Sequence, residues 1–204
     1  MKTEIRKLTP NLAEEYAQFF DTTPHWGEDD TRCYCITWCS DNVYNNGGTH
    51  WFPSPEERRI NALQRVHDGD IQGYLAYHDN KIVGWCNANT KSNCLACINY
   101  LSKDAGIPLE ECQEGEKVKF IFCFTVAPKA QKLGVATQLL EYICKDAAIE
   151  GFDYIEAIPS KNPTDPAGDH RGPLEMYKKC GFHIHAEQDG KIVVRKDLIN
   201  PNLH

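Results

Sequence analysis

Between Val126 and Ala136 the chain reads Val-Ala-Pro-Lys-Ala-Gln-Lys-Leu-Gly-Val-Ala, so that Gln131-x-x-Gly134-x-Ala136 falls where an apolar run gives way to a helical pattern. A helix starting there leaves unpaired backbone N–H groups and the positive end of its dipole converging on one point, a pocket suited to a pyrophosphate. Small residues at Gly134 and Ala136 let phosphate oxygens reach the backbone, and Lys129 and Lys132 can add point charges toward the ribose phosphate of a nucleotide-like cofactor. The same turn also reads as an ordinary helix start that binds nothing. Two cysteine groupings carry other chemistry. Cys33-x-Cys35-x-x-x-Cys39 lies among Trp26, Tyr34 and Trp38, and Cys94-x-x-Cys97 has a metal-ligand spacing. A structural zinc site needs a second pair, which Cys112 or His25 would have to complete on folding, so no metal is assigned; a redox pair or an apolar wall are the other readings.

The elements that must position these residues follow from apolar periodicity. Residues 3–8 form a first strand, and Asn11 with Glu14 gives a capping-box pattern opening a helix with Leu12, Tyr16, Phe19 and Phe20 inward. Ser54-Pro55-Glu56-Glu57 opens a second helix, with Ile60, Leu63 and Val66 at helical spacing. Strands at 72–78 and 81–87 flank a hairpin turn at Asp79-Asn80. After an irregular stretch, Val118–Val126 is the most apolar strand, and a long helix at 133–149 follows. Ala136, Leu139, Leu140, Ile143, Cys144 and Ala147 line one face of it, and Gly151 closes it. A strand at 154–158, a polar loop at 159–172, a short helix at 173–180 and strands around Ile184 and at 192–195 complete the order. The expected class is α+β, a mixed α/β three-layer arrangement with a mixed central sheet and helices on both faces.

With 204 residues, of which 41% are apolar, the chain can bury one core and is short for two. The expectation is a single domain over 1–204, with a Cys/aromatic-rich insertion at about 22–52 and an irregular insertion at about 89–116. Lysine and arginine total 22 against 29 acidic residues, a net charge of −7, with no basic stripe of the kind that tracks phosphates. No nucleic-acid partner is expected. The acidic balance favours a cationic acceptor such as an amine, although solubility explains the same charge. The amino-terminal residues lack the apolar run of a signal peptide, and the longest uncharged apolar stretch, 120–127, is too short to span a bilayer. A cytoplasmic protein without membrane contact is expected. Most of the ten cysteines, such as Cys123 and Cys144, read as small buried hydrophobes.

The junction at 126–136 resembles motif A of the GNAT superfamily of N-acyltransferases, Gln/Arg-x-x-Gly-x-Gly/Ala after a strand ending in Val-x-Pro. Downstream, Pro173-Leu174-Glu175-Met176-Tyr177-Lys178-Lys179-Cys180-Gly181-Phe182 looks like that family's motif B, with a tyrosine four residues before Gly-Phe. The resemblance covers about 72–198 well and the first seventy residues in outline. The nucleotide-binding doubly wound fold is not expected, because Gly-x-Gly-x-x-Gly is absent.

What the resemblance implies is the GNAT acyl-CoA N-acyltransferase fold, acetyl-CoA as cofactor, and direct attack of a primary amine on the thioester in a ternary complex. The strand at 118–126 would splay from the strand at 154–158, and a pantetheine arm would pair with the backbone of Phe124 and Val126. The Val126 N–H would stabilise a developing oxyanion, an effect of about 3–4 kcal/mol for one donor. The implied cofactor set is Phe124, Thr125, Val126, Gln131, Lys132, Leu133, Gly134, Val135, Ala136, Thr137, Asn162 and Tyr177. Tyr177 is the implied general acid, contributing about 10²-fold, unless it simply anchors its helix. The strand before motif A has no glutamate, so Glu156 on the following strand is the nearest candidate base, beside a relay through ordered water. His170 stands where motif B often has asparagine, a departure that leaves the contact to the pantetheine arm either to Asn162 or to no residue. Trp26, Trp38, Tyr44, Trp51 and Phe52 are expected to line the acceptor pocket or to fill core. The acceptor would be a small-molecule amine, a peptide amino terminus or a lysine, and many members of the family form homodimers. The alternative is a non-catalytic CoA-binding or cysteine-based sensory module on the same fold.

Overall fold

The computed structural model describes residues 1–23, 32–36, 54–94, 115–160, 169–188 and 190–199. Seven strands form one sheet: β1 (Glu4–Lys7), β2 (Gly73–His78), β3 (Lys81–Thr90), β4 (Val118–Val126), β5 (Tyr154–Ala157), β6 (His183–Gln188) and β7 (Lys191–Asp197). Their spatial order is β1-β2-β3-β4-β5-β7-β6. Every pairing is antiparallel except β4 with β5. That one parallel pair needs a crossover, which is the helix α3 (Val135–Ile149). On one face α1 (Ala13–Thr22) and α2 (Pro55–Asp68) cover a core of Tyr16, Phe20, Trp85, Phe120 and Phe122. On the other, α3 and the short α4 (Leu174–Lys179) cover Leu139, Leu140, Ile143, Ile155 and Tyr177. The mixed sheet with helices on both faces is the expected architecture.

Local chemistry explains the elements that sequence placed well. At α2 the Ser54 hydroxyl accepts from the Glu57 N–H (3.2 Å) while the Glu57 carboxylate accepts from the Ser54 N–H (3.1 Å), and Pro55 occupies the first turn. In the β2–β3 hairpin Asp79 and Asn80 have φ of 49° and 59°, the left-handed pair that a two-residue turn requires. After α3 the Gly151 N–H donates to Ala148 O and the Phe152 N–H to Ala147 O, so Gly151 ends the helix as expected.

Other expectations are corrected. Asn11 does not cap α1: Pro10–Leu12 is a 3₁₀ turn, and Leu12 precedes the helix without a side-chain cap. Ile60 is 67% exposed, because α2 turns Arg58, Ala62, Arg65 and Val66 inward, and Ile60 lies round the helix from that stripe. The strand expected at 81–87 continues to Thr90 and is followed by a 3₁₀ turn at Lys91–Cys94, so the start of the irregular stretch is ordered. α3 begins at Val135 rather than at 133, since Lys132 and Gly134 hold left-handed backbone (φ 61° and 83°).

The position of the site follows from one irregularity. β4 pairs with β5 only from Val118↔Tyr154 to Ile121↔Ala157, whereas its pairing with β3 continues to Gly84↔Val126. On the β3 side the register runs Ala88↔Ile121 and then Asn87↔Cys123, which leaves Phe122 as an extra residue on β4. Such a bulge bends its strand and increases the local twist. It sits where β4 parts from β5, and the result is the splayed pair that the resemblance implied.

Candidate active site

The open edge of β4 faces the first turn of α3 across a cleft of about 500 Å³. The Ala127 N–H donates to Val83 O (3.0 Å). Alternation along the antiparallel pair therefore turns the N–H and C=O groups of Phe124 and Val126 away from β3, toward the cleft. Gln131 closes the lower end, its side-chain amide donating to Val126 O (3.2 Å).

Opposite this edge, α3 starts on Gly134 with no side-chain cap, and only the fourth amide, that of Gln138, finds an intrahelical acceptor in Gly134 O (3.1 Å). The amides of Val135, Ala136 and Thr137 belong to the turn that lines the cleft. An uncapped first turn of a 15-residue helix with a glycine ahead of it fits the phosphate end of a nucleotide cofactor. At Gly134 the positive φ of 83° favours glycine, and a side chain there would strain the turn. At Gly84 the constraint is space, since an added Cβ would lie 2.7 Å from Val135 Cγ1, and its absence lets α3 settle on the sheet.

Of the expected cofactor residues, Phe124, Thr125, Val126, Gln131, Lys132, Gly134, Val135, Ala136 and Thr137 all line this cleft. Leu133 does not; it is 46% exposed on the outer side of the turn, and Lys129 is likewise exposed and absent from the lining. Asn162 lies outside the described residues, as do Trp26, Trp38, Tyr44, Trp51, Phe52, His25, Cys39, Cys97 and Cys112. The lining also includes Pro128, Ala130, His170, Gly172, Pro173 and Met176. Gly172-Pro173 ahead of α4 was the available signal for the last of these, as a turn that carries the chain back across β4. Ser160 N–H donates to Gly172 O (3.0 Å) and fixes that crossing.

Tyr177 sits on α4, fully buried, behind the lining rather than in it. Its ring meets Phe124 edge-on, and its hydroxyl donates to Arg171 O (2.9 Å), next to the lining residues His170 and Gly172. Burial holds the phenol far above its usual range, so it stays protonated.

Glu156 is not brought to the cleft. Ile155 and Ala157 face α3, so alternation along β5 sends Glu156 to the opposite face of the sheet. There it is buried between two cations: one oxygen accepts from Lys91 Nζ (2.6 Å), the other from Arg195 Nε (3.0 Å) and Nη2 (2.7 Å). Arg195 is its cross-strand partner on β7. A carboxylate engaged on both oxygens in this way anchors the sheet, away from the cleft and from solvent. Neither Lys91 nor Arg195 carried a signal in the sequence, because their pairing depends on the strand order.

Among the described residues no group of three or more His, Cys, Asp or Glu could hold a metal ion, and no helix is long and apolar enough to cross a membrane.

Comparison with known proteins meets the same fold. The profile of the acetyltransferase (GNAT) family matches residues 35–182. Solved structures of similar fold include an acetyltransferase of the GNAT family from Streptococcus pneumoniae (16% identity, covering 97% of this chain and 100% of that one, TM-score 0.54). Another is the GNAT domain of S. lividans PAT (16% identity, 96% and 90% covered, TM-score 0.55). A third is a GNAT superfamily phosphinothricin acetyltransferase from Sinorhizobium meliloti in complex with AcCoA (14% identity, 97% and 89% covered, TM-score 0.52). No curated protein matches the sequence.

Proposed function

The chain belongs to the acetyltransferase (GNAT) family, and from that premise we propose that it transfers the acetyl group of acetyl-CoA to a primary amine by direct attack in a ternary complex. The observation that carries this reading is the meeting, in one cleft, of the outward backbone of Phe124 and Val126 with the uncapped first turn of α3. Acetyl-CoA supplies an activated acyl thioester there.

The chain's own residues do the rest. The amides of Val135, Ala136 and Thr137, with Lys132 beside them, hold the phosphate end. Phe124 and Val126 offer strand-like pairing to an amide-bearing arm, and the Val126 N–H is directed to a carbonyl oxygen in the cleft, where one preorganised donor contributes about 3–4 kcal/mol. Tyr177, just behind the lining, is our candidate source of the proton that a departing thiolate needs, its hydroxyl held on Arg171 O next to the lining residues His170 and Gly172. His170 replaces Glu156 as our candidate for taking the proton of the acceptor: it lines the cleft, and imidazole is the side chain that changes charge nearest neutral pH. In this reading the enzyme is cytoplasmic and its acceptor is a small molecule or a peptide.

Incubation with acetyl-CoA and a panel of small-molecule, amino-acid and peptide amines, with acetylated products read by mass spectrometry, tests the proposal. Turnover of at least one amine above the enzyme-free rate is expected. His170→Gln should remove the acidic limb of its pH–rate profile. Binding of acetyl-CoA without turnover of any amine would favour a non-catalytic module instead.

A further inference from the structure

Behind the cleft, on the face of β4 that looks toward α1, two thiols face each other. Cys35 Sγ and Cys123 Sγ are 2.8 Å apart, against about 2.05 Å for a covalent S–S bond, although 88 positions separate them in the chain. Both are buried. Cys123 reaches this face because of the Phe122 bulge: Ile121 and Phe124 pack with α3, whereas Phe122 and Cys123 both join the core under α1. Cys35 is presented by a tight turn in which the Ile36 N–H donates to Cys33 O (3.2 Å) and in which Tyr34 and Cys35 both hold left-handed backbone (φ 47° and 52°). Two non-glycine residues do not adopt that conformation unless their surroundings impose it. Here Tyr16 donates its hydroxyl to Tyr34 O (2.5 Å), Tyr34 donates to Asp21 Oδ1 (2.6 Å), and Trp85 Nε1–H donates to Cys35 Sγ (3.2 Å). Three contacts from two elements, α1 and β3, thus hold the turn that aims one sulfur at the other.

We propose that Cys35 and Cys123 form a reversible dithiol–disulfide couple that staples the 33–36 turn to the cofactor strand, with a small peroxide as oxidant. One cysteine, as thiolate, attacks a peroxide oxygen; the O–O bond breaks, hydroxide leaves, and the sulfur becomes a sulfenic acid. The second sulfur then displaces the sulfenic oxygen, forming S–S and breaking S–O, and that hydroxide takes the second thiol proton as water. Two thiols and one peroxide give one disulfide and two waters. Burial holds the Cys35 thiol well above its ordinary range, so the first step proceeds through transient opening of the turn and is slow compared with an exposed thiolate. The pairing differs from both cysteine groupings that the sequence marks out, and it does not depend on whether the chain turns over an acyl thioester, since neither thiol lines the cleft.

The test uses the full chain, reduced by a phosphine, freed of it and exposed to graded hydrogen peroxide. Remaining thiols are alkylated under denaturing conditions and the protein is digested without reduction. The expected product is a linked peptide pair containing Cys35 and Cys123 with loss of two hydrogens, reversed by phosphine and retained in Cys33→Ser. The oxidised protein should melt about 10 °C above the reduced one, as a cross-link closing so long a loop would produce. Recovery of Cys35 and Cys123 as separately alkylated peptides while other cysteines oxidise, or a Cys33–Cys35 link in place of the expected one, would overturn the proposal. The mapping is done on the native chain, so the result stands even if Cys35→Ser fails to fold.

Discussion

The cleft edge and the reverse face of β4 belong to one strand and are assembled by different rules. On the cleft edge the working groups are backbone amides and carbonyls, positioned by the local contacts of Gln131 on Val126 and Gly134 ahead of α3 and by the sheet pairing that puts the Ala127 amide on β3. On the reverse face the working groups are side chains recruited from distant parts of the chain, Cys35 to Cys123 and, along the same face of the sheet, Lys91 and Arg195 to Glu156. Side-chain substitutions should therefore tell least on the first region, whose working groups are backbone, and most on the second.

The largest expected effect tests that division at Glu156. Glu156→Gln leaves the buried Lys91 and the half-buried Arg195 against a neutral partner and should destabilise the protein by roughly 3–5 kcal/mol, read by denaturant unfolding, while affinity for acetyl-CoA is preserved. A variant of native stability whose turnover falls a hundredfold or more would restore Glu156 to the catalytic side. Next comes Tyr177→Phe, which removes the proton and keeps the ring against Phe124 and Phe182. Turnover should fall about 10²-fold with cofactor affinity unchanged and stability lowered by about 1 kcal/mol for the lost bond to Arg171 O. Loss of stability alone would make the residue an anchor.

How much of each region was legible in the sequence follows from the same contrast. The cleft's turn could be read because a glycine at a helix start and a small residue two positions on are local requirements. Leu133 and Lys129 fall outside the lining, beside a turn in which Lys132 and Gly134 adopt left-handed backbone, and Tyr177 lies behind it. The bulge could not be read. Phe120-Ile121-Phe122-Cys123-Phe124 is apolar throughout, so a slip of one residue leaves no trace in the pattern, yet it decides which face Cys123 joins. Glu156 was misread for a related reason: β5 is buried on both faces, alternation gave its carboxylate no obvious direction, and its cations come from elements placed only by the sheet order. On α2 the buried side chains of Arg58 and Arg65 flank Ala62 and Val66 on the inward face, and Ile60 lies outside that stripe.

A smaller effect probes the far end of the strand, where Lys119 is buried beside Phe152 and Glu150. Burial, reinforced by Lys7, lowers its ammonium from 10.5 to about 8. Because the folded value lies below the unfolded one, the unfolded chain holds more protons between those limits, and stability attributable to Lys119 rises with pH across them. The difference in unfolding free energy between the native chain and Lys119→Met should change by up to roughly 3 kcal/mol from pH 8 to 10.5, in the direction that favours the native lysine at high pH. A pH-independent difference would mean that the ammonium is solvated.

The most direct test of the cleft is the thermal midpoint with and without saturating acetyl-CoA, in the native chain and in Gly134→Glu. Gly134 holds a φ of 83° at the head of α3, so a side chain there strains the turn and sets a carboxylate against the phosphate end. At a hundred times the dissociation constant, binding should stabilise the native chain by about 2.7 kcal/mol, seen as a clear rise in midpoint, and the variant should show none. An equal rise in both proteins would place the cofactor elsewhere, and no rise in a folded native chain would contradict the acetyl-CoA reading altogether.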